Sequence, residues 1–364
     1  MNETYEDVLD YAELLIIKRD IDVLRKLAPN LDPSLQFQLI PNLSLICYEV
    51  IVWMNRKGYP FQIEQTSKYS MEKIRNKAKF FDSSTNKLIN SNRNIDTIQN
   101  DYFINEMGYE PGRKYEAHAN LGIYYDTEGR IVGNTHYAFY VFQDEKMFSA
   151  QSKEIESKEA SAGELDSNEI GLYAYDLGTI IGSLSDGLAP ISDFIVADIA
   201  PAPIEVRTQD FNTNRCLGVQ YKAFRTVRLF LLHIISSIGY TLFALKKKIF
   251  RESGLLLRIE YITYHYILAR LKQLWTYCNA EHQLIGDPNL IEVLKVIMNN
   301  SDGELRSSAF RNCMMHFGLR HKNGKPLIDE QNCNLAIPFC GLIESQFKMT
   351  YFEYQRLIEE IKPL

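Results

Sequence analysis

The sequence reads SDGELRSSAFRNCMMHFG over residues 301–318, and this segment predicts a helix with a defined beginning and end. Ser301 or Asp302 can cap the N-terminus, because their side chains accept hydrogen bonds from backbone N–H groups there. Glu304 suits the first turn, where the helix dipole favours negative charge. Gly318 suits the C-terminal end, where a residue with positive φ commonly follows the last turn.

The predicted helix has one apolar face. Its stripe repeats at i, i+3, i+4 and i+7 and consists of Phe310, Cys313, Met314 and Phe317. Asn312 and His316 lie one turn apart on the opposite side, and Arg311 lies about 140° around the axis from His316. Apolar residues, Leu305 and Met315, share that polar side. Polar groups with apolar neighbours indicate a covered surface, such as a dimer interface.

Length and composition predict a folded chain of two domains. The chain has 364 residues, of which 46% are apolar and 24% charged. Cysteines stand without paired spacing at Cys47, Cys216, Cys278, Cys313, Cys333 and Cys340. The first ten residues are acidic and carry no apolar signal segment. These features predict reduced thiols and a cytoplasmic location.

Charge is divided unevenly along the chain, whose net charge is -6. Residues 217–364 carry 19 Lys and Arg against 13 Asp and Glu, whereas residues 1–216 carry 21 against 33. A basic C-terminal half can approach phosphates, which an acidic N-terminal half repels. The opposite charges can equally hold the two halves together.

The N-terminal half, residues 1–211, is predicted to be an α+β region. Residues 5–57 have helical periodicity, and residues 70–80 predict one basic helix. Tyr115–Ile123 and Thr135–Phe142 predict a β-hairpin or small sheet around the turn Thr127-Glu128-Gly129-Arg130, with His118 and His136 as ordinary strand residues. Residues 151–169 predict a flexible loop, and the glycines of Ile170–Val206 predict packing and turns, since they match no phosphate-binding motif.

The C-terminal half, residues 212–364, is predicted to be an α-helical bundle. Its helices are expected from Asn212 or Thr213 to Lys248, from Ser253 to Asn279, from Asp287 to Asn299, at the 301–318 segment, and from Leu342 to Ile361. The run Leu229–Leu245 contains a histidine, two serines and a glycine and is shorter than a membrane span, so it predicts a buried helix rather than a membrane anchor.

A histidine and an arginine can together cleave RNA without a metal. A base removes the proton of the 2′-hydroxyl, which attacks the adjacent phosphate, and an acid protonates the departing 5′-oxygen. Histidine performs either step near neutral pH, and arginine stabilises the charge on phosphorus. Asn312 can hold the histidine tautomer or donate to the phosphate. His316 and His321 do not have metal-pair spacing, so the sequence predicts no metal and no cofactor.

The motif Arg311-Asn312-Cys313-Met314-Met315-His316, set in a predicted C-terminal helical bundle, resembles the HEPN superfamily. The resemblance covers residues 212–364 by architecture and six residues by motif. It implies a bundle that forms a homodimer through the motif helix and acts as a metal-independent endoribonuclease. It also implies that Arg311 binds the phosphate, that Asn312 is the motif's polar residue, and that His316 is the general acid or base.

Members of this superfamily are often toxins or antiviral, abortive-infection effectors. The resemblance therefore implies an RNA substrate and an antitoxin or activating partner. Residues 1–211 match no known partner domain, and the hypothesis for them is that they regulate the nuclease, sense a trigger or position RNA. Dimerisation brings two copies of His316 into one cleft, which supplies both proton carriers. The alternative hypothesis is a non-catalytic interaction or nucleotide-binding protein that uses the same face to dimerise.

Overall fold

The computed structural model describes residues 2–62, 64–79, 121–142, 167–191, 204–212, 222–249, 254–280 and 308–319. The helices are α1 (Asn2–Leu27), α2 (Pro33–Arg56), α3 (Met71–Arg75), α4 (His136–Phe142), α5 (Ser167–Leu188), α6 (Lys222–Gly239), α7 (Gly254–Ala280) and α8 (Ser308–His316). The strands are β1 (Leu121–Tyr125), β2 (Ile131–Asn134) and β3 (Arg207–Phe211). The prediction of a mainly helical fold with a small sheet is confirmed.

The predicted N-terminal helices form as α1 and α2. A short 3₁₀ turn, Ala28–Asn30, follows α1. Asp32 then caps α2 by accepting a hydrogen bond from the Ser34 backbone N–H at 2.8 Å. Pro41 lies inside α2 without ending it. The predicted basic helix is also present, as α3 followed by the 3₁₀ turn Asn76–Lys79.

The sheet is antiparallel, with strand order β2-β1-β3. The predicted turn between β1 and β2 is confirmed, and Gly129 adopts φ +77° there. The third strand, β3, falls in a region for which the sequence predicted no strand.

The predicted strand over Thr135–Phe142 is wrong, because residues 136–142 form α4. Thr135 ends β2 by donating its N–H to the carbonyl of Gly122 at 2.9 Å. Tyr137, Tyr140 and Val141 are buried at helical spacing. Their packing in the core stabilises the helix, although residues of these types favour strands. His136 is therefore a buried helical residue rather than a strand residue; His118 lies outside the described residues.

The predicted turns among the glycines after Ile170 are wrong over residues 170–188, which belong to α5. Tyr173, Leu177, Ile180 and Leu184 are buried at helical spacing, so one apolar face stabilises the helix despite its glycines. The predicted loop over residues 151–169 also ends inside this helix, because Ser167–Glu169 form its first turn. Residues 151–166 lie outside the described part of the chain.

The long predicted C-terminal helices form as α6 and α7. After α6 the chain continues through a π-helical segment, Tyr240–Leu245, and a last turn, Lys246–Lys248. The predicted helices that begin at Asp287 and Leu342 lie outside the described residues.

Within the described residues, two helical stretches are long and apolar enough to cross a membrane when only length and composition are considered. They are Ser34–Arg56, whose apolar window is 72% buried, and Arg228–Lys248, whose window is 94% buried. Core helices pass the same test, so it is weak support for a span. The burial confirms the prediction that Leu229–Leu245 forms a buried helix.

One hydrophobic core joins residues from both predicted domains. It contains side chains from α1 and α2 on one side of residue 211 and from α6, α7 and α8 on the other. Helix α8 packs against both α2 and α7, and α6 packs against β2. The division at 211/212 stays a prediction, but the motif helix takes its position from both halves of the chain.

Candidate functional site

Helix α8 carries the motif and is more deeply covered than its sequence predicted. Cys313, Met314 and Phe317 are buried, as expected for the apolar stripe. Met315, predicted to share the polar side, is also buried, and the Tyr266 hydroxyl of α7 donates to its sulfur at 2.9 Å. Part of the face that was predicted to need a second subunit is therefore covered by α7 of the same chain.

The end of α8 lies at His316, and Phe317 rather than Gly318 follows it in the left-handed conformation, with φ +59°. This backbone costs a non-glycine residue about 1–2 kcal/mol. The Phe317 ring is buried, and the guanidinium carbon of Arg258 lies 3.8 Å from its centroid, which offsets that cost. The predicted beginning of the helix, residues 301–304, lies outside the described residues.

Arg258 of α7 also caps the C-terminal end of α8. It donates to the carbonyl of Cys313 at 3.1 Å and to the carbonyl of Met314. Its Nε donates to Asp20 of α1 at 2.7 Å, and both side chains are buried. Burial raises the pKa of Asp20, while the positive charge of Arg258 opposes that rise. A buried ion pair thus fixes the end of the helix that carries His316.

His316 contacts the buried carboxylate of Glu49, a residue that the sequence did not predict to belong to the site. Its Nδ1 lies 2.7 Å from Oε2 of Glu49 in α2, and Glu49 Oε1 accepts a hydrogen bond from Arg75 at 2.5 Å. The Glu49 side chain is 5% exposed, whereas that of His316 is 47% exposed. The contacts form a chain, Arg75–Glu49–His316, that runs from the interior to the surface.

This chain of contacts sets the roles of the two imidazole nitrogens. An ionised carboxylate only accepts hydrogen bonds, so Nδ1 of His316 donates to Glu49. The other nitrogen, Nε2, is then the atom that accepts or releases a proton in reaction with a ligand. Arg75 forms an ion pair with the other oxygen of Glu49, so the carboxylate is held between the two side chains.

Arg311 and Asn312 are paired with each other. Asn312 Oδ1 accepts from Arg311 Nη2 at 2.9 Å and from Nε at 3.3 Å. Arg311 also lies near Tyr261 of α7: burial raises the pKa of Tyr261, and the charge of Arg311 opposes that rise. Among the described hydrogen bonds, Arg311 thus binds Asn312, and His316 binds Glu49. The residue that holds the histidine is Glu49, and Asn312 holds the arginine instead.

A sequence signal for Glu49 does exist. Glu49 is the acidic residue within the apolar stretch Leu35–Met54, and a carboxylate in such a helix needs a partner when it is buried. Its partner His316 is 267 positions away, so the pairing has no local signature. Arg75 belongs to the predicted basic helix, where its guanidinium lies 4.0 Å from the ring centroid of Tyr48.

Other polar features lie outside this site. Within the described ranges, no group of three or more His, Cys, Asp or Glu side chains could hold a metal ion. A cleft of about 600 Å³ lies beside the β1–β2 turn, and its lining includes Asp126, Glu128, Glu205 and Arg207 but none of the motif residues. Acidic side chains predominate there, which disfavours an anionic ligand.

Comparisons of the chain with protein families, with curated proteins and with solved structures found no match.

Proposed function

We propose that this protein is a metal-independent endoribonuclease in which His316 carries protons and Arg311 binds the scissile phosphate. The observation that supports this proposal most directly is the contact between His316 Nδ1 and the buried carboxylate of Glu49. A carboxylate behind a half-exposed imidazole orients the ring and directs Nε2 toward a ligand, which is the arrangement that general acid–base catalysis requires. The resemblance of the motif to HEPN nucleases agrees with this chemistry.

In the proposed reaction, Nε2 of one neutral His316 takes the proton of the RNA 2′-hydroxyl. The 2′-oxygen forms a bond to the adjacent phosphorus, and the bond from phosphorus to the 5′-oxygen breaks. A second, protonated His316 gives its proton to that 5′-oxygen, so that a 2′,3′-cyclic phosphate and a free 5′-hydroxyl result. Arg311 stabilises the charge on the phosphate oxygens, and Asn312 orients the guanidinium through its amide oxygen.

The second histidine comes from a second copy of the chain. Arg311 and His316 lie about 140° apart around the axis of α8, and His316 contacts α2, so one α8 directs its two catalytic groups to different sides. A homodimer through α8 can pair Arg311 of one subunit with His316 of the other. The proposed role is that of a cytoplasmic toxin or antiviral effector, controlled by an antitoxin or an activating partner.

The first test measures cleavage of total RNA in EDTA. We expect wild-type cleavage to persist in EDTA and to fall about 10²–10⁴-fold in His316→Ala, because the proton carrier is lost. Arg311→Ala should also lose activity. Lys272→Ala is a matched control, since Lys272 is an exposed cation of α7 outside the motif, and it should cleave like wild type.

Glu49→Gln tests the role of the carboxylate separately. Glutamine has nearly the same shape but can donate as well as accept, so it no longer selects the tautomer with hydrogen on Nδ1. We expect ring ¹⁵N NMR spectra to show a changed tautomer for His316, together with slower cleavage. Unchanged ring signals and unchanged activity would show that Glu49 only packs.

Complementation tests the shared dimer site. Arg311→Ala and His316→Ala chains are each expected to be inactive, whereas a mixture that exchanges subunits contains dimers with one intact Arg311–His316 pair. These dimers have one His316 instead of two, so we expect only partial recovery of cleavage. Cleavage by the mixture above that of either variant alone supports a site shared between subunits. The absence of cleavage by wild-type protein, with or without added cell extract, would instead favour the non-catalytic interaction or nucleotide-binding hypothesis.

A further inference from the structure

A basic segment lies beside the candidate site. It comprises Met71–Lys79, that is, α3 and the 3₁₀ turn that follows it, and has the sequence MEKIRNKAK. The segment contains four cationic residues, at positions 73, 75, 77 and 79, and one acidic residue, Glu72. This local charge is opposite to the net charge of -6 of the whole chain.

The orientation of the basic segment is fixed by its packing. Met71, Ile74 and Ala78 are buried and hold one face of the segment against the core. The Tyr140 hydroxyl donates to the carbonyl of Lys77, and the Lys77 ammonium lies 5.4 Å from the Tyr140 ring centroid. Lys73 is exposed and Lys77 and Lys79 are half-buried, so these lysines belong to the outer face, whereas Arg75 turns inward to Glu49.

The basic segment and the motif helix contact the same two helices. Helix α8 packs against α2 and α7; the basic segment packs against α2, and its turn Asn76–Lys79 packs against α7. The two are joined through side chains, because Glu49 binds Arg75 at 2.5 Å through one oxygen and His316 at 2.7 Å through the other. Arg75 of the basic segment and His316 are thus partners of the same carboxylate, which places the segment beside His316.

We propose that the basic segment binds the phosphate backbone of a single RNA strand and leads that strand to His316. This inference rests on the proposed function, since it gives the nuclease site its substrate-binding surface. Phosphate contacts by lysine and arginine supply most of the sequence-independent affinity for nucleic acid. The segment is about 15 Å long, sufficient for more than one phosphate contact. A chain that is acidic overall needs such a local surface to approach RNA.

The test measures binding rather than cleavage. Fluorescence anisotropy with a labelled single-stranded RNA is performed on the full chain carrying His316→Ala, so that the RNA stays intact. In this background Lys73→Gln and Lys79→Gln are combined, and affinity is measured over a range of salt concentrations. Losing two phosphate contacts should weaken binding and reduce the slope of log K against log salt by about 1.4.

The matched control is the pair Lys246→Gln and Lys247→Gln. Lys247 is 46% exposed and lies 3.8 Å from both Asp126 and Glu128, so its surroundings are acidic and should not bind RNA. The control should keep the affinity and salt slope of the His316→Ala background. Any of three results would overturn the proposal. They are an equal loss of affinity in both double variants, an unchanged salt slope in the Lys73/Lys79 double variant, and no RNA binding at all.

The two proposals can fail independently. RNA binding that depends on Lys73 and Lys79, with no cleavage by the unmutated chain, would support the binding surface and reject the nuclease. Cleavage by the unmutated chain, with binding indifferent to both lysines, would support the nuclease and reject the surface. Binding of polyglutamate equal to that of RNA, lost through the same substitutions, would show a surface for acidic proteins and would also reject the RNA proposal.

Discussion

Buried charged and polar side chains determine the candidate site at the scale of single residues. Glu49 is nearly inaccessible to solvent, and its two oxygens are bound by Arg75 and His316. Burying a carboxylate costs free energy unless it is paired, so the site depends on both partners. The same condition explains Glu13 of α1, whose oxygens accept from the Leu319 backbone N–H at 2.8 Å and from Trp53 Nε1 at 2.7 Å.

A second buried residue, His233 of α6, predicts a dependence of stability on pH. Its ring stacks on Tyr140, and burial lowers its pKa to about 3. Between about pH 3 and pH 6.5, His233 is therefore protonated in the unfolded chain but not in the folded chain. The stability contribution is fully present above pH 6.5 and is lost as the pH falls, by about 1.4 kcal/mol per pH unit.

Denaturant unfolding at pH 7 and pH 5 checks this prediction. We expect the loss of unfolding free energy between the two pH values to be about 2 kcal/mol smaller in His233→Gln than in wild type. His233→Phe, which keeps an aromatic ring beside Tyr137 and Tyr140, should show the same reduced loss. An equal loss in all three proteins would mean that His233 takes up its proton in the folded state.

At the scale of elements, α8 depends on its neighbours. Its nine described residues, Ser308–His316, are too few for a stable isolated helix, so tertiary contacts must stabilise this part of it. The Asp20–Arg258 pair supplies one of them, because Arg258 binds two carbonyls at the end of α8 and Asp20 neutralises its charge. Helices α1, α2 and α7 thus each contribute a charged residue that holds the end of the motif helix.

Breaking this buried pair should be costly. We expect Asp20→Asn to lower the unfolding free energy by about 3–5 kcal/mol, because Arg258 is then buried without a counter-charge. Hydrogen exchange of the backbone amides of residues 313–319 should become faster. In a double-mutant cycle, Asp20→Asn with Arg258→Met should cost less than the two single changes added together.

Arg25→Ala is the matched control. Arg25 pairs with Asp186 at 2.8 Å, but the two side chains are 54% and 73% exposed. An exposed pair contributes about 0–1 kcal/mol, so this change should have little effect on stability or exchange. Equal costs for the exposed and the buried pair would contradict the proposed support of α8.

At the scale of the whole molecule, one core contains side chains from both predicted domains. The core contacts join α1 with α7, α2 with α8, and β2 with α6. Neither predicted half can keep these surfaces buried without the other. We therefore expect the chain to unfold as one cooperative unit, which would place the domain boundary at 211/212 inside a single folding unit.

The two tryptophans allow a test, because one lies in each predicted domain. Trp53 is buried in α2, and Trp275 is half-buried in α7. In Trp275→Phe the fluorescence reports on the N-terminal half, and in Trp53→Phe it reports on the C-terminal half. Within each variant, fluorescence and far-UV circular dichroism should give the same denaturation midpoint. A fluorescence transition separate from the circular dichroism transition would instead show two independent domains.

Local sequence patterns determined most of the helices. Apolar residues at helical spacing predicted α1, α2, α6 and α7, and the turn Thr127–Arg130 predicted the β1–β2 hairpin. These features follow from interactions between residues close in sequence. The same patterns were misleading for α4 and α5, where aromatic residues and glycines have local preferences that burial in the core overrides.

The sequence by itself determined the motif Arg311-Asn312-x-x-x-His316, its place on an amphipathic helix, and the chemistry that a histidine and an arginine can perform. Only the tertiary structure decided that Glu49 and Arg75 stand behind His316, and that Phe317 rather than Gly318 adopts the left-handed conformation after the helix. The physical reason is that a buried charge requires a partner but does not specify one. The partner is chosen when helices from distant parts of the chain pack into one core.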